Sequence, residues 1–161
     1  MSLLLQQLLS DNYTKRKDVQ NEITQWMNGD EDDYTHAVTL TFPFLVNDEL
    51  EADRYIGKFS KFLNKKCHRR AKNDNEKLKM AVVIEGVNSI ENIHAHCAIR
   101  SPNKFTFEIF EALIKDAWRK SVNNNEAVSD VQQYNDNGWI EYFTKQLTET
   151  KTNGISQYCN F

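Results

Sequence analysis

Two apolar runs, Met80 to Gly86 and Ile93 to Ile99, flank a short polar segment. In the second run Ile93, Ala95, Cys97 and Ile99 fall on one side of an extended chain, and His94 and His96 fall on the other. Such alternation demands a strand with one packed face and one polar face, and two strands joined by a polar loop predict an antiparallel hairpin. A symmetric hairpin closing around Ser89 and Ile90 sets Glu85 opposite His94. Glu85 would share its face with Ala81 and Val83, where a carboxylate needs a partner. A slip of one residue would turn Glu85 to the other side, so the register decides whether the three groups meet.

The flanking sequence supplies the rest of an α+β plan. His36 to Phe42 alternates, with Val38, Leu40 and Phe42 on one side, Thr39 and Thr41 on the other, and Pro43 ending the strand. A helix follows whose apolar stripe is Tyr55, Phe59, Phe62 and Leu63. Beyond the hairpin, Thr106 can cap a helix with Phe110, Leu113, Ile114, Ala117 and Trp118 as its stripe. Val128 to Tyr134 reads as a strand, Asn135 to Gly138 as a turn, and Trp139 to about Thr148 as a helix. The order is β-α-β-β-α-β-α, which implies a central, largely antiparallel sheet of four to five strands flanked by helices. Before it, Val19, Ile23, Trp26 and Met27 have helical spacing and suggest an N-terminal helical arm over 1–28. At 161 residues the chain is expected to form one domain, with its core over 35–148.

Composition narrows the setting. The net charge of −3 argues mildly against a nucleic-acid partner, but its distribution argues the other way. Nine basic residues lie between Lys58 and Lys79 against two acidic ones, and Lys58, Lys61, Lys65, Lys66, Arg69 and Arg70 are the candidate contacts to DNA phosphates. A charged helix facing solvent explains such a run equally well. Cys67, Cys97 and Cys159 form no CxxC pair, the opening residues make a poor signal peptide, and no apolar run is long enough to span a bilayer. A cytoplasmic protein with reduced thiols and no membrane partner is expected.

Two constellations carry chemistry. Two imidazoles side by side on a strand can address one metal ion, or can be ordinary polar residues on a wetted sheet face; a carboxylate placed opposite favours the ion. In the last helix Tyr142 and Lys145 lie three residues apart on a polar face beside a core stripe of Ile140, Phe143 and Leu147. A tyrosine is a weak nucleophile at its ordinary pKa of about 10, and a lysine one turn along favours the phenolate and can pair with a phosphate. The same pair can equally be a surface contact. Tyr134 has no such base, and Tyr158 lies in a tail expected to fray.

Taken in order, these segments resemble the HUH endonucleases, in the single-tyrosine branch that includes rolling-circle replication initiators. The motifs are Val38-Thr39-Leu40-Thr41-Phe42-Pro43, then His94-Ala95-His96 with upstream Glu85, then Tyr142-Phe143-Thr144-Lys145, and they span about Thr35 to Leu147. Ala95 is smaller than the hydrophobe usual between the histidines, and the N-terminal arm has no counterpart.

The resemblance implies an RRM- or ferredoxin-like palm that nicks and rejoins single-stranded or hairpin origin DNA. Tyr142 would be the nucleophile, leaving a 5′-phosphotyrosine link, with Lys145 assisting. Glu85, His94 and His96 would hold Mn²⁺ or Mg²⁺. No GxxxxGK[ST] motif is present, so a host helicase and polymerase are the implied partners. A transposase or relaxase uses the same parts. A non-catalytic nucleic-acid module shares the fold class but would want aromatic side chains on its central strands. A non-haem iron oxygenase also uses two histidines and a carboxylate, but in another order and with no role for Tyr142.

Overall fold

The structure, a computed structural model, describes residues 17–18, 20–25, 34–68, 77–86, 93–135, 138–145 and 154–160. Its elements are β1 (His36–Thr41), α1 (Glu49–Cys67), β2 (Met80–Glu85), β3 (His94–Ile99), α2 (Phe107–Ser121), β4 (Ser129–Gln133) and α3 (Gly138–Thr144). This is the order that the alternation and helical spacing predict. The four strands form one sheet in the order β2-β3-β1-β4, and every neighbouring pair is antiparallel.

Strand alternation divides the molecule into two unequal layers. Val38, Leu40, Val82, Ile84, Ala95, Cys97 and Ile99 face α1 and α2, and form the main core with them. Asp48 caps α1 by accepting from the Glu51 amide at 2.7 Å, while the Glu51 carboxylate accepts from the Asn47 amide at 3.0 Å. Ala52, Ile56, Phe59 and Leu63 of α1 are fully buried, whereas Tyr55 and Phe62 are only partly so. The buried stripe is therefore rotated from the aromatic one read in the sequence, because small Ala52 sits where the helix approaches the sheet. In α2, Thr106 caps the helix, Phe110, Ile114, Ala117 and Trp118 are fully buried, and Trp118 Nε1 donates to the Thr41 carbonyl at 3.1 Å. The opposite sheet face carries a smaller cluster of Tyr34, Ala81, Val83, Ala98 and Ile140, the last from α3.

The N-terminal arm is helical over residues 20–25, where Ile23 packs against this second cluster; Val19, Trp26 and Met27 lie outside the described residues. So do Leu147 and the side chain of Phe143, two members of the stripe read for the last helix.

The C-terminal tail departs from expectation. Residues 154–160 run along the outer edge of β2, with bridges Met80↔Asn160 and Val83↔Ile155. Asn160 and Met80 exchange backbone hydrogen bonds of 2.6 and 2.8 Å, and the Ile84 amide donates to the Gly154 carbonyl at 2.7 Å. Tyr158 is thus held in place, its ring lying over Gly57 where any larger residue would overlap it. The tail satisfies the open donors and acceptors of an edge strand, which its unpatterned sequence does not advertise. No helix among the described residues is long and apolar enough to cross a membrane, and all three cysteines are unpaired.

His36 is the buried ionisable group most exposed to pH. Its ring stacks on Phe107 at 4.4 Å and shares a 2.7 Å hydrogen bond with Thr35. Burial depresses its pKa below 6.5, against smaller upward pulls from the Phe107 carbonyl and Glu111. The unfolded chain then binds more protons than the folded one, so stability is full above about pH 6.5 and falls as pH drops towards the folded value. Urea midpoints measured from pH 8 to pH 5 should show this loss, and His36→Phe should remove that part of it.

Candidate active site

The β2–β3 register pairs Glu85 with His94 and Val83 with His96, as the hairpin symmetry predicts. The same face of β1 brings Thr41 opposite His94 and Thr39 opposite His96. Three ligand-type atoms converge there. His96 Nε2 lies 3.1 Å from Glu85 Oε2 and 3.1 Å from His94 Nε2, and His94 Nε2 is 3.4 Å from the same carboxylate oxygen. Glu85 and His96 are buried, while His94 is the member most open to solvent.

These contacts conflict without a cation. One proton between two facing Nε2 atoms can satisfy one pair, and Glu85 Oε1 is buried with no hydrogen-bond partner. A cation at the centre satisfies all three groups at once. A triangle with these sides has its centre roughly 1.9 Å from each corner, close to the ~2.0–2.2 Å of metal bonds to imidazole and carboxylate. The residues therefore fit a divalent ion and can hold one. Burial on its own would raise the Glu85 carboxyl, but hydrogen bonds and charge from His94 and His96 outweigh it and hold the pKa down at about 2. The carboxylate is thus ionised and ready to ligate throughout the neutral range.

Thr39 completes the shell. Its hydroxyl lies 3.1 Å from His96 Nδ1, so an Nδ1–H that donates to it leaves the Nε2 lone pair aimed at Glu85 and His94. The alternation placed Thr39 on the polar side of its strand, but only the β1–β3 register shows that it meets His96.

Over this cluster lies α3. The Tyr142 ring stands edge-on to His96 at 5.8 Å and stacks on Trp139 at 6.0 Å. Trp139 is also edge-on to His96, at 5.5 Å, and its Nε1 donates to the Cys97 carbonyl at 3.2 Å. Tyr142 is half exposed, and Lys145 Nζ sits over its ring, 3.7 Å from the centroid. The fold thus brings together Glu85, His94, His96, Tyr142 and Lys145, residues from two strands and a helix that lie far apart in the sequence.

A family model for replication-associated proteins of the ORF2 type matches residues 35–147. The chain belongs to that family. The match covers the span of the three motifs, and membership ties the chain to DNA replication. No curated protein and no solved structure matches the chain.

The basic residues of this replication-associated protein lie elsewhere. Lys58, Lys61 and Lys65 are exposed on α1, which packs on the sheet face opposite the Glu/His/His cluster. With Arg54, His68, Lys77 and Tyr158 they line a groove of about 590 Å³. Lys66 is committed to Asp116 at 2.5 Å, and Arg69 and Arg70 lie outside the described residues.

Calorimetric titration with Mn²⁺ should show one site of which His94→Ala and His96→Ala lose most of the affinity. Thr39→Val should weaken binding about tenfold through loss of the imidazole's support. Equal affinity in the wild type and both histidine variants would rule out the site.

Proposed function

We propose that the protein is an HUH-type, single-tyrosine endonuclease that nicks and rejoins single-stranded DNA to initiate rolling-circle replication. The observation that carries this reading is the meeting of a metal-competent Glu85/His94/His96 cluster with the ring of Tyr142, in a member of a replication-associated family. A divalent cation held by the three residues, Mn²⁺ or Mg²⁺, supplies Lewis-acid polarisation of the scissile phosphate.

The chain's own groups do the rest. Tyr142 Oη attacks phosphorus, the bond from phosphorus to the 3′-oxygen breaks, and the DNA keeps a free 3′-hydroxyl while its 5′-phosphate becomes a tyrosine ester. The phenol proton is lost as the new bond forms, and the departing 3′-oxygen takes up a proton, so charge balances. Lys145, held over the Tyr142 ring, offers positive charge to the phenolate and to the phosphorane-like transition state. One phosphodiester is exchanged for another of similar energy, so the 3′-hydroxyl of a second strand can reverse the step and seal the DNA.

The substrate must bend its backbone into a cleft between the sheet and α3, which a paired strand cannot do until melted. A single-stranded or hairpin-loop origin meets that demand. The host helicase and polymerase would then work from the exposed 3′-hydroxyl. Lys58, Lys61 and Lys65, on the far face, serve as phosphate contacts for DNA outside the cleft.

Mass spectrometry after incubation with Mn²⁺ and single-stranded oligonucleotides should find a covalent adduct that maps to Tyr142. Tyr142→Phe should form none, and Tyr134→Phe and Tyr158→Phe should still react. An adduct on another tyrosine, or full nicking by Tyr142→Phe, defeats the assignment. A relaxed linear duplex of the same sequence should be cut at least about a hundredfold more slowly, because opening several base-pair steps at ~1.4 kcal/mol each adds to the barrier. Equal rates on the two forms would show the substrate reading to be wrong.

A further inference from the structure

We propose that a second pocket, sharing Tyr142 as one wall, takes a single unstacked nucleobase of the strand being cut; this rests on the nicking reading above. The pocket has a volume of about 360 Å³ and lies between the uncovered face of β1 and β4 and the start of α3. Its composition specifies its occupant. Ala37 and Gly138 leave room at the lining, Tyr134, Trp139 and Tyr142 supply aromatic walls, and Gln132, Gln133 and Asn135 bring amides.

No charged side chain is among the lining residues, so nothing there recognises a phosphate. Asp130, on the same sheet face, accepts from Gln132 Nε2 at 2.8 Å, which places negative charge beside the pocket and makes an anion a still poorer guest. A flat, neutral ring system with a polar edge fits on every count: aromatic faces stack it, and amides offer a donor and an acceptor side by side to its edge.

Position supports the same conclusion. In the sheet register Gln132 pairs with Ala37, and Asp130 pairs with Thr39, which in turn faces His96. The Ala37–Gln132 row is thus the next same-face row along the strands from the one holding His96, about 7 Å away. A base seated there belongs to a nucleotide flanking the phosphate at Tyr142. Trp139, fixed by its hydrogen bond to Cys97, is a rigid wall for it. Gln133 and Asn135 are exposed, so either can be truncated without opening the core. They are the specificity determinants.

The test uses full-length protein carrying Tyr142→Phe, which binds without turnover, with Mn²⁺ and a randomised pool of single-stranded oligonucleotides. Sequencing the bound fraction should show a base preference at one position. Adding Gln133→Ala or Asn135→Ala should weaken enrichment there by about fivefold or more and leave other positions as they were. A parent with no base preference, or two variants with the parent's preference intact, overturns the pocket. Adduct formation at Tyr142 in the wild type is scored separately. An adduct without position-specific loss removes the pocket alone; position-specific loss without an adduct upholds the pocket and removes the nicking reading.

Discussion

The antiparallel pairing of Glu85 with His94 is the constraint from which the site follows. Because side chains alternate with period two, that register places Glu85, His94 and His96 on one face with Val83 between the strands' polar groups, and leaves Ile84, Ala95 and Cys97 for the core. A shift by one residue would bury His94 and His96 among leucines and isoleucines and expose the core residues. The hydrophobic cost of that exchange, about 1.5–3 kcal/mol for each large apolar side chain turned out, fixes the register more firmly than the hydrogen bonds of the site could. The fold therefore tolerates three crowded polar groups, one with an unpartnered oxygen, because the other face of the same strands pins them there.

The helix carrying Tyr142 stands on a different footing. At seven residues α3 is too short to be stable alone. It is held by tertiary contacts: Ile140 is fully buried against Ala81, Val83 and Ala98, and Trp139 is bonded to the Cys97 carbonyl. From the N-terminal arm Gln20 donates to the Glu141 carbonyl at 3.0 Å, and Thr24 meets Thr144 at 3.2 Å. The Thr144 hydroxyl already donates to Ile140, so Thr24 is the donor in that buried pair. The arm, which the sequence left without a role, thus grips the backbone one residue before Tyr142 and the side chain two residues after it.

What could be read from the sequence was what local periodicity encodes. The strand alternation gave the element order, and the centre of the hairpin loop gave the Glu85–His94 pairing. Contacts that depend on how distant strands line up were out of reach. Thr39 could be placed on a face but not against His96, since nothing local sets the β1–β3 register. The edge formed by 154–160 had no alternation to reveal it, because it meets β2 through isolated bridges. The basic run was visible as charge, yet charge does not say which side of a sheet a helix will cover. It is the apolar stripe of Ile56, Phe59 and Leu63 that binds α1 to the main core and so carries Lys58, Lys61 and Lys65 away from the cluster.

That separation bears on how DNA can meet the protein. Glu85 and His96 are covered, whereas His94 and Tyr142 reach solvent, so a phosphate can approach the cluster only from the side those two share. The uncovered face of β1 and β4 adjoins that side, and its amides and aromatic rings suit bases more than backbone. Cations that attract the backbone without regard to sequence lie behind the sheet. Affinity from phosphates and discrimination from bases are thereby given to different surfaces. Salt should then govern how often the protein stays on DNA, while the cleft beside Tyr142 governs where on the strand it settles.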